Sequence, residues 1–245
     1  ATVLAKAAVD QGLSSKLAEA RTKLQDRFVA GLRTYRAMMQ QVALPKTLEL
    51  LPLLILSILK SPVLKDGVDV LTDHRIQLAM QLGSMSAQQA VAFFLPNIFG
   101  LHGLTANGAN YGGVAGNTVI MPPLVPRALD QLSPEGMYLV ENGVMMMLWI
   151  GKSCPPQLVQ EILNVPNAER LDSVKLNLQN LGNDTSQRVN NIVGTIRQHR
   201  AGPMPIYCVR QGGAAEPRFL TQLVEDRTLA AMSYSEWWGL LARNL

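Results

Sequence analysis

Residues that carry out chemistry are scarce in this chain. Its 245 residues include two cysteines and three histidines, and 16% are charged. Cys154 and Cys208 form no CxxC pair and no ligand cluster. That excludes a disulfide framework and a cysteine-built zinc site, and it fits free thiols in a reducing compartment. His74, His102 and His199 lie far apart, each in an ordinary helical or loop setting. GxSxG, HExxH and P-loop patterns are absent, so no nucleophile–base or metal-ligand spacing is present. The sequence therefore nominates no catalytic, cofactor-binding or metal residue, and the expectation is a protein that is not an enzyme. Long hydrophobic runs are missing too. The most apolar, Leu48–Leu59, contains Glu49 and Pro52 and falls short of the roughly twenty residues that span a bilayer. It reads as a buried helix, and no signal peptide precedes it.

Sparse charge and a slightly positive mean hydropathy suggest a surface normally covered by other domains or subunits. The chain is expected to be a piece of something larger, which its first residue, Ala rather than Met, also fits. Its length suits one large or two small domains, each able to bury a core. The net charge is +4, and the excess lies in residues 1–118, with eleven basic against seven acidic side chains; residues 119–245 have eleven of each. An excess of that size reads as a solvated face, with no nucleic-acid partner expected.

Leu17, Ala20, Leu24, Phe28, Leu32, Tyr35 and Met39 recur by threes and fours, one apolar face of a helix over residues 14–40 starting near Ser14 or Ser15. Lys16, Arg21, Lys23, Arg27, Arg33 and Arg36 populate its outer face. After Leu44-Pro45 a second helix is expected over residues 46–60, with Pro52 near its first turn or at a kink, ended by Ser61-Pro62 and Gly67. Asp69–Leu82 reads as a third helix with Asp69, Asp73 and Arg75 as a helix start and a local ion pair. Ser86-x-x-Gln89 is a capping box opening a fourth helix that stops at Pro96. These make an all-α domain, placed at residues 1–104. Leu104–Asn117, rich in Gly and Asn, reads as the linker (105–117), its glycines lacking the GxGxxG spacing of a nucleotide loop.

Beyond it, Gly136–Gly151 holds two apolar runs around Glu141-Asn142-Gly143. Asn-Gly between β-prone runs predicts a hairpin with a type I′ turn, buried on both faces inside a sheet sandwiched by helices. Met145, Met146 and Met147 read mostly as core filler, because consecutive strand residues point to opposite faces. Thr118–Met121 and Met204–Val209 are expected strands. Pro156–Leu163 is an expected short helix, Asp184-x-x-Gln187 a capping box for a helix carrying Val189, Ile192, Val193 and Ile196, and Arg197 and Arg200 stand at its negative dipole end. Ser233-x-x-Glu236 caps a last helix, Tyr234–Asn244, with Trp237, Leu240 and Leu241. The fold class is α+β, an all-α helical domain followed by a domain, 118–245, with a mixed sheet flanked by helices.

GMYLVENG and LWIG within Gly136–Gly151 resemble the gelsolin-like domain that closes the inner-coat subunits of COPII vesicles. ALPKTLELLPLLILSILKSPVLKDG followed by DHR resembles the helical domain of the same subunits, at Leu44-Pro45, Leu51-Pro52-Leu53, Leu59-Lys60-Ser61 and Asp73/Arg75. The resemblance covers nearly the whole chain and implies the C-terminal helical and gelsolin-like domains of such a subunit. Gelsolin-like domains of actin-severing proteins often hold calcium near this hairpin; only Glu141 and Glu161 are at hand here, too few for an ion that takes six or more oxygens.

The family contains a GTPase-activating subunit, which inserts an arginine into a small GTPase, and a cargo adaptor. Phe219–Arg227 and Ser233-Tyr234 follow the adaptor's pattern, while Trp237-Trp238 departs from the usual Phe-Leu. Arg210 and Arg218 are the nearest candidates for an inserted arginine. The resemblance implies a cargo-selecting adaptor of ER-to-Golgi vesicle formation, cytoplasmic and peripheral on the endoplasmic reticulum membrane. Its implied partners are the activating subunit and sorting signals of membrane cargo, and zinc is implied only in a zinc-finger domain upstream of Ala1. The competing readings are a gelsolin-type actin binder and the activating subunit itself.

Overall fold

Apolar side chains three and four positions apart decide the first long element. Ala20, Leu24, Phe28 and Leu32 are buried along one stripe, and the residues between them are largely exposed. The computed structural model describes residues 3, 6–7, 9–10, 12, 16–40, 44–65, 70–169, 171–200, 202–228 and 231–244. Among these the order of elements is α1 (Leu17–Met39), α2 (Leu51–Lys60), α3 (Thr72–Ser84), α4 (Ala87–Phe94), β1 (Asn97–Gly100), β2 (Val114–Ala115), β3 (Thr118–Val119), β4 (Met137–Glu141), β5 (Met146–Ile150), α5 (Pro156–Leu163), β6 (Lys175–Leu176), α6 (Asp184–Gln198), β7 (Ile206–Arg210), α7 (Glu216–Leu220) and α8 (Tyr234–Asn244). The chain divides into two compact units, Ala1–Leu95 with Val224–Leu245, and Pro96–Leu223.

In the first unit α2 is buried nearly all round, from Pro52 to Leu59. Pro52 sits in its first turn, where a missing N–H leaves no helical bond unmade. The buried Ser57 hydroxyl donates to the Phe94 carbonyl, so its polarity is satisfied across to α4. Arg21, expected on the outer face of α1, instead donates to the carbonyls of Leu59 and Leu64. There it satisfies carbonyls at and just past the end of α2, where a cation also suits the helix dipole. Lys16, Lys23, Arg27, Arg33 and Arg36 do face solvent. The capping box of α4 forms as read, Ser86 Oγ accepting from Gln89 N and Gln89 Oε1 from Ser86 N. Ser14, Ser15, Gly67 and Asp69 lie outside the described residues. Arg75 donates to the carbonyls of Lys65 and Val70.

The last helix completes this unit. α8 starts one residue after Ser233, whose Oγ accepts from Glu236 N while Glu236 Oε2 accepts from Ser233 N. These bonds hold the exposed Glu236 carboxyl below its ordinary pKa, with Arg227 adding to the effect. Trp237, buried, stacks on Phe28 of α1 with ring centroids 5.9 Å apart. Lys60, at the end of α2, donates to the carbonyls of Val224 at 2.9 Å and Asp226 at 2.6 Å. Burial lowers its pKa, and the charges of Asp226 and Glu236 oppose that.

The second unit is built on a five-stranded sheet in the order β1-β4-β5-β7-β6, parallel only between β5 and β7. β4 and β5 are paired from Met137↔Ile150 to Glu141↔Met146, and every residue in both is buried. Met137, Leu139, Met146, Leu148 and Ile150 pack with Val159 and Ile162 of α5 and Val189, Ile192, Val193 and Ile196 of α6. Tyr138, Val140, Met147 and Trp149 pack on the other face with Ile98, Val209, Phe219 and Leu223. Both faces are therefore covered, as the continuous apolar runs require.

Three expectations are revised. The hairpin loop has four residues, not two: Glu141 pairs with Met146, and Asn142 Oδ1 accepts from the amides of Val144 and Met145. A type I′ turn needs positive φ at both central residues, and here only Gly143 has it, at 79°. The cap of α6 is Asn183, whose Oδ1 accepts from Ser186 N, so Asp184 is already helical.

The third concerns the domain limits. Asn97–Gly100, expected in the helical domain, is an edge strand on β4; Val224–Leu245, expected with the sheet, belongs to the helical unit. The Gly/Asn stretch is likewise folded, not a linker. Arg188 of α6 donates to Asn110 Oδ1 and the Tyr111 carbonyl, and Asn191 to the Gly112 carbonyl. Gly112 has φ +74°, and a Cβ there would lie 2.7 Å from the Arg188 carbonyl oxygen. The burial that fixes these boundaries comes from residues distant in sequence.

Trp149 is 0% exposed, stacked on Phe219 at 5.6 Å. Trp149→Ala is expected to cost roughly 3–5 kcal/mol. Urea unfolding followed by far-ultraviolet circular dichroism checks this, and a loss below about 1 kcal/mol would contradict a core role.

Candidate functional site

A charged residue ends the apolar strand β4. Glu141 is 1% exposed, and an isolated carboxylate at that depth is costly unless paired and hydrogen-bonded. Its partners come from three segments. Arg200, just past α6, donates Nε to Oε1 at 2.9 Å and Nη2 to Oε2 at 2.8 Å. Asn97, opening β1, donates Nδ2 to Oε2 at 2.9 Å, and the Gly143 amide reaches Oε1 at 2.6 Å. The fork of a guanidinium matches a carboxylate's two oxygens, which makes this the strong form of the interaction. Arg200 had been expected at the dipole end of α6; its guanidinium goes to Glu141 instead. Arg197 remains near that end, bonded to the Met204 carbonyl.

The groups around Glu141 are nitrogen donors, where calcium asks for oxygens. Glu161 has its own partners: Oε2 accepts from Thr185, Oε1 from Gln157, and its carbonyl from Asn183. The two acids share no ligand set, and among the described residues no three His, Cys, Asp or Glu side chains cluster as metal ligands. Asn97 was not singled out from the sequence, and Arg200 was read there as a dipole cation rather than as the partner of Glu141. The available signal was an acid at the end of a fully apolar strand, which demands a partner without naming it.

Neither candidate for an inserted arginine stands on a projecting loop. Arg210 is the last residue of β7; its guanidinium donates to the Glu169 carbonyl at 3.1 Å, and its amide to Asp172. Arg218 lies in α7, its guanidinium 5.9 Å from the centre of the Tyr207 ring. The histidines remain apart and exposed, His102 beside the Met137 backbone and His199 on the Thr195 carbonyl. Cys154 and Cys208 are unpaired thiols. Burial pushes Cys208 up to about 12, Asp172 adding to the rise and Arg210 opposing it; burial also raises Cys154. No helix among the described residues is long and apolar enough to cross a membrane.

Residues 1–92 match the Sec23/Sec24 helical domain, and residues 118–216 match the gelsolin repeat. Matches to a Sec23/Sec24 helical domain and to a gelsolin repeat thus follow one another along the chain, and Sec24 relatives match it over essentially its whole length. It is 29% identical to mouse protein transport protein Sec24A over 240 residues, 96% of this chain and 22% of that protein. To the Aspergillus oryzae protein transport protein sec24 it is 30% identical over 260 residues, covering all of this chain and 28% of that one. The crystal structure of the human COPII-coat protein Sec24c superposes with a TM-score of 0.85 at 29% identity, covering 99% of this chain and 30% of the solved one. The chain thus spans less than a third of the Sec24 proteins it matches. Its fold is that of the Sec24 structure, a helical domain and a gelsolin-like domain.

Two measurements test the site. Arg200→Ala strands a buried carboxylate and is expected to cost about 3–5 kcal/mol, while Glu141→Leu with Arg200→Met recovers most of it. Urea unfolding of the three proteins checks both, and a single-variant loss under about 1 kcal/mol would refute the pair's role. Thiol labelling is the second. Because the thiolate reacts and burial raises both pKa values, Cys208 should resist dithionitrobenzoate at pH 8 until the chain unfolds.

Proposed function

We propose that this chain is the helical and gelsolin-like part of the cargo-selecting adaptor subunit of the COPII coat, acting by binding rather than by catalysis. The similarity to Sec24 proteins over essentially the whole chain carries the reading. Two further observations support it. Phe219–Arg227 follows the adaptor pattern, and Phe219 and Leu223 of that segment are buried in the sheet's core. Arg210 and Arg218 are held by β7 and α7 rather than presented for insertion. An arginine that stabilises charge on transferring phosphates must enter a neighbouring GTPase, and Glu225 and Asp226 would bring unfavourable negative charge there.

On this reading the whole protein pairs with the coat's GTPase-activating subunit, binds sorting signals of exported membrane proteins and works at the cytoplasmic face of the endoplasmic reticulum membrane. A zinc-finger domain would be found elsewhere in that protein.

The test uses the full-length parent. Added alone to the coat GTPase, it is expected to leave the hydrolysis rate essentially unchanged and to co-purify with the activating subunit. A hundredfold acceleration removed by Arg210→Ala or Arg218→Ala would overturn the adaptor assignment, since an inserted arginine is worth about 10³–10⁵ in rate.

A further inference from the structure

Asparagine followed by glycine is chemically labile, and the chain has it at Asn107-Gly108 and Asn142-Gly143. The glycine's amide nitrogen attacks the asparagine Cγ, forming a C–N bond as ammonia leaves. Water then opens the resulting succinimide to aspartate or isoaspartate. Glycine favours the attack because no side chain obstructs the approach. At the tip between β4 and β5 both reacting groups are engaged elsewhere. Gly143 N, the nucleophile of that reaction, is buried and donates to Glu141 Oε1 at 2.6 Å, and Glu141 is itself held by Arg200. The Asn142 carboxamide is held at both ends. Its Oδ1 accepts from the amides of Val144 at 3.2 Å and Met145 at 3.0 Å, and its Nδ2 donates to Gln222 Oε1 at 3.1 Å. The two backbone donors also fix which end of the carboxamide is oxygen.

We infer that Asn142-Gly143 is a deamidation site that the hairpin-tip network holds closed, with Gln222 as its catch. Cyclisation requires nucleophile and carbonyl carbon to meet in a near-attack geometry. To reach it, the Gly143 nitrogen must leave Glu141 and lose its proton. The carboxamide must also turn its Cγ onto that nitrogen, which breaks its bonds to Val144, Met145 and Gln222. Val144 and Met145 belong to the tip itself, whereas Gln222 arrives from just beyond α7, so its grip is the one that movement elsewhere can withdraw. The products show what the network guards. Isoaspartate inserts an extra backbone carbon into the loop closed by the Glu141↔Met146 pair. Either product sets a second carboxylate next to the buried Glu141, an unfavourable neighbour for a buried charge whose pairing is already complete. Because the reaction is not reversed by refolding, these bonds set a chemical lifetime for the hairpin. The inference stands independently of the adaptor reading.

The test follows deamidation at Asn142 in the 245-residue chain at mildly alkaline pH, read by the mass of its proteolytic peptide and by isoaspartate-specific carboxyl methylation. The native chain is expected to react there at least about tenfold more slowly than the urea-unfolded chain. Gln222→Ala removes one hydrogen bond from the carboxamide and should raise the native rate about fivefold. Glu141→Leu with Arg200→Met frees the Gly143 amide while keeping the tip filled, and should raise it by a similar factor. Trp149→Ala weakens the core without touching the tip, and its rate should stay within about twofold of the native chain's. Equal rates in the native and unfolded chains overturn the inference, as does a slow native rate that neither tip variant changes. Acceleration in the double variant alone overturns the role of Gln222. A rise in Trp149→Ala as large as in Gln222→Ala overturns the inference too, since global stability would then be what protects Asn142.

Discussion

A two-stranded hairpin with apolar residues on both faces cannot sit on a surface. Each buried side chain of β4 and β5 contributes roughly 1.5–3 kcal/mol only if water is removed from its own side. That single requirement organises residues 96–223. Helices α5 and α6 supply one cover and α7 with its flanking loop the other, and β7 extends the sheet beside β5. Trp149 shows how closely the second cover is fitted. Its ring stacks on Phe219, and its Nε1 reaches Glu216 Oε1 at 3.4 Å, both from α7.

The one charge buried with this hairpin follows a different logic. A paired Glu141 and Arg200 need add little net stability, because the attraction is offset by the desolvation of both ions. Their effect is on geometry. A bidentate bond with two further donors fixes the end of α6, the start of β1 and the hairpin tip at one point. An internal guanidinium thus does at this tip what a bound cation could do, and it arrives with the chain.

Sequence reading succeeded where the signal is local. Capping boxes at Ser86 and Ser233, the helix over Pro156–Leu163 and the buried hairpin are all written in short spans. It missed by one residue at the α6 cap and in the turn type at the hairpin tip, and failed most where a side chain's partner lies far along the chain. Arg21 looked like a solvated charge until α2 presented two carbonyls, and Arg200 looked like a dipole cation until Glu141 took it. The Gly/Asn stretch looked like a linker because glycine and asparagine mark turns, whereas close approach to α6 is what demands them. Domain limits failed for the same reason, since nothing near Trp237 indicates that its ring stacks on Phe28.

That last pairing bears on function. Closing a unit with the chain's last helix means that residues 1–95 are complete only with 224–245. The segment that resembles the adaptor, Phe219–Arg227, is where the chain leaves the sheet and rejoins the helices. Its apolar positions are fixed by burial at Phe219 and Leu223, and its carbonyls at Val224 and Asp226 are held by Lys60. A sequence pattern that distinguishes two kinds of coat subunit can therefore reflect how the chain is tied together as much as what it touches.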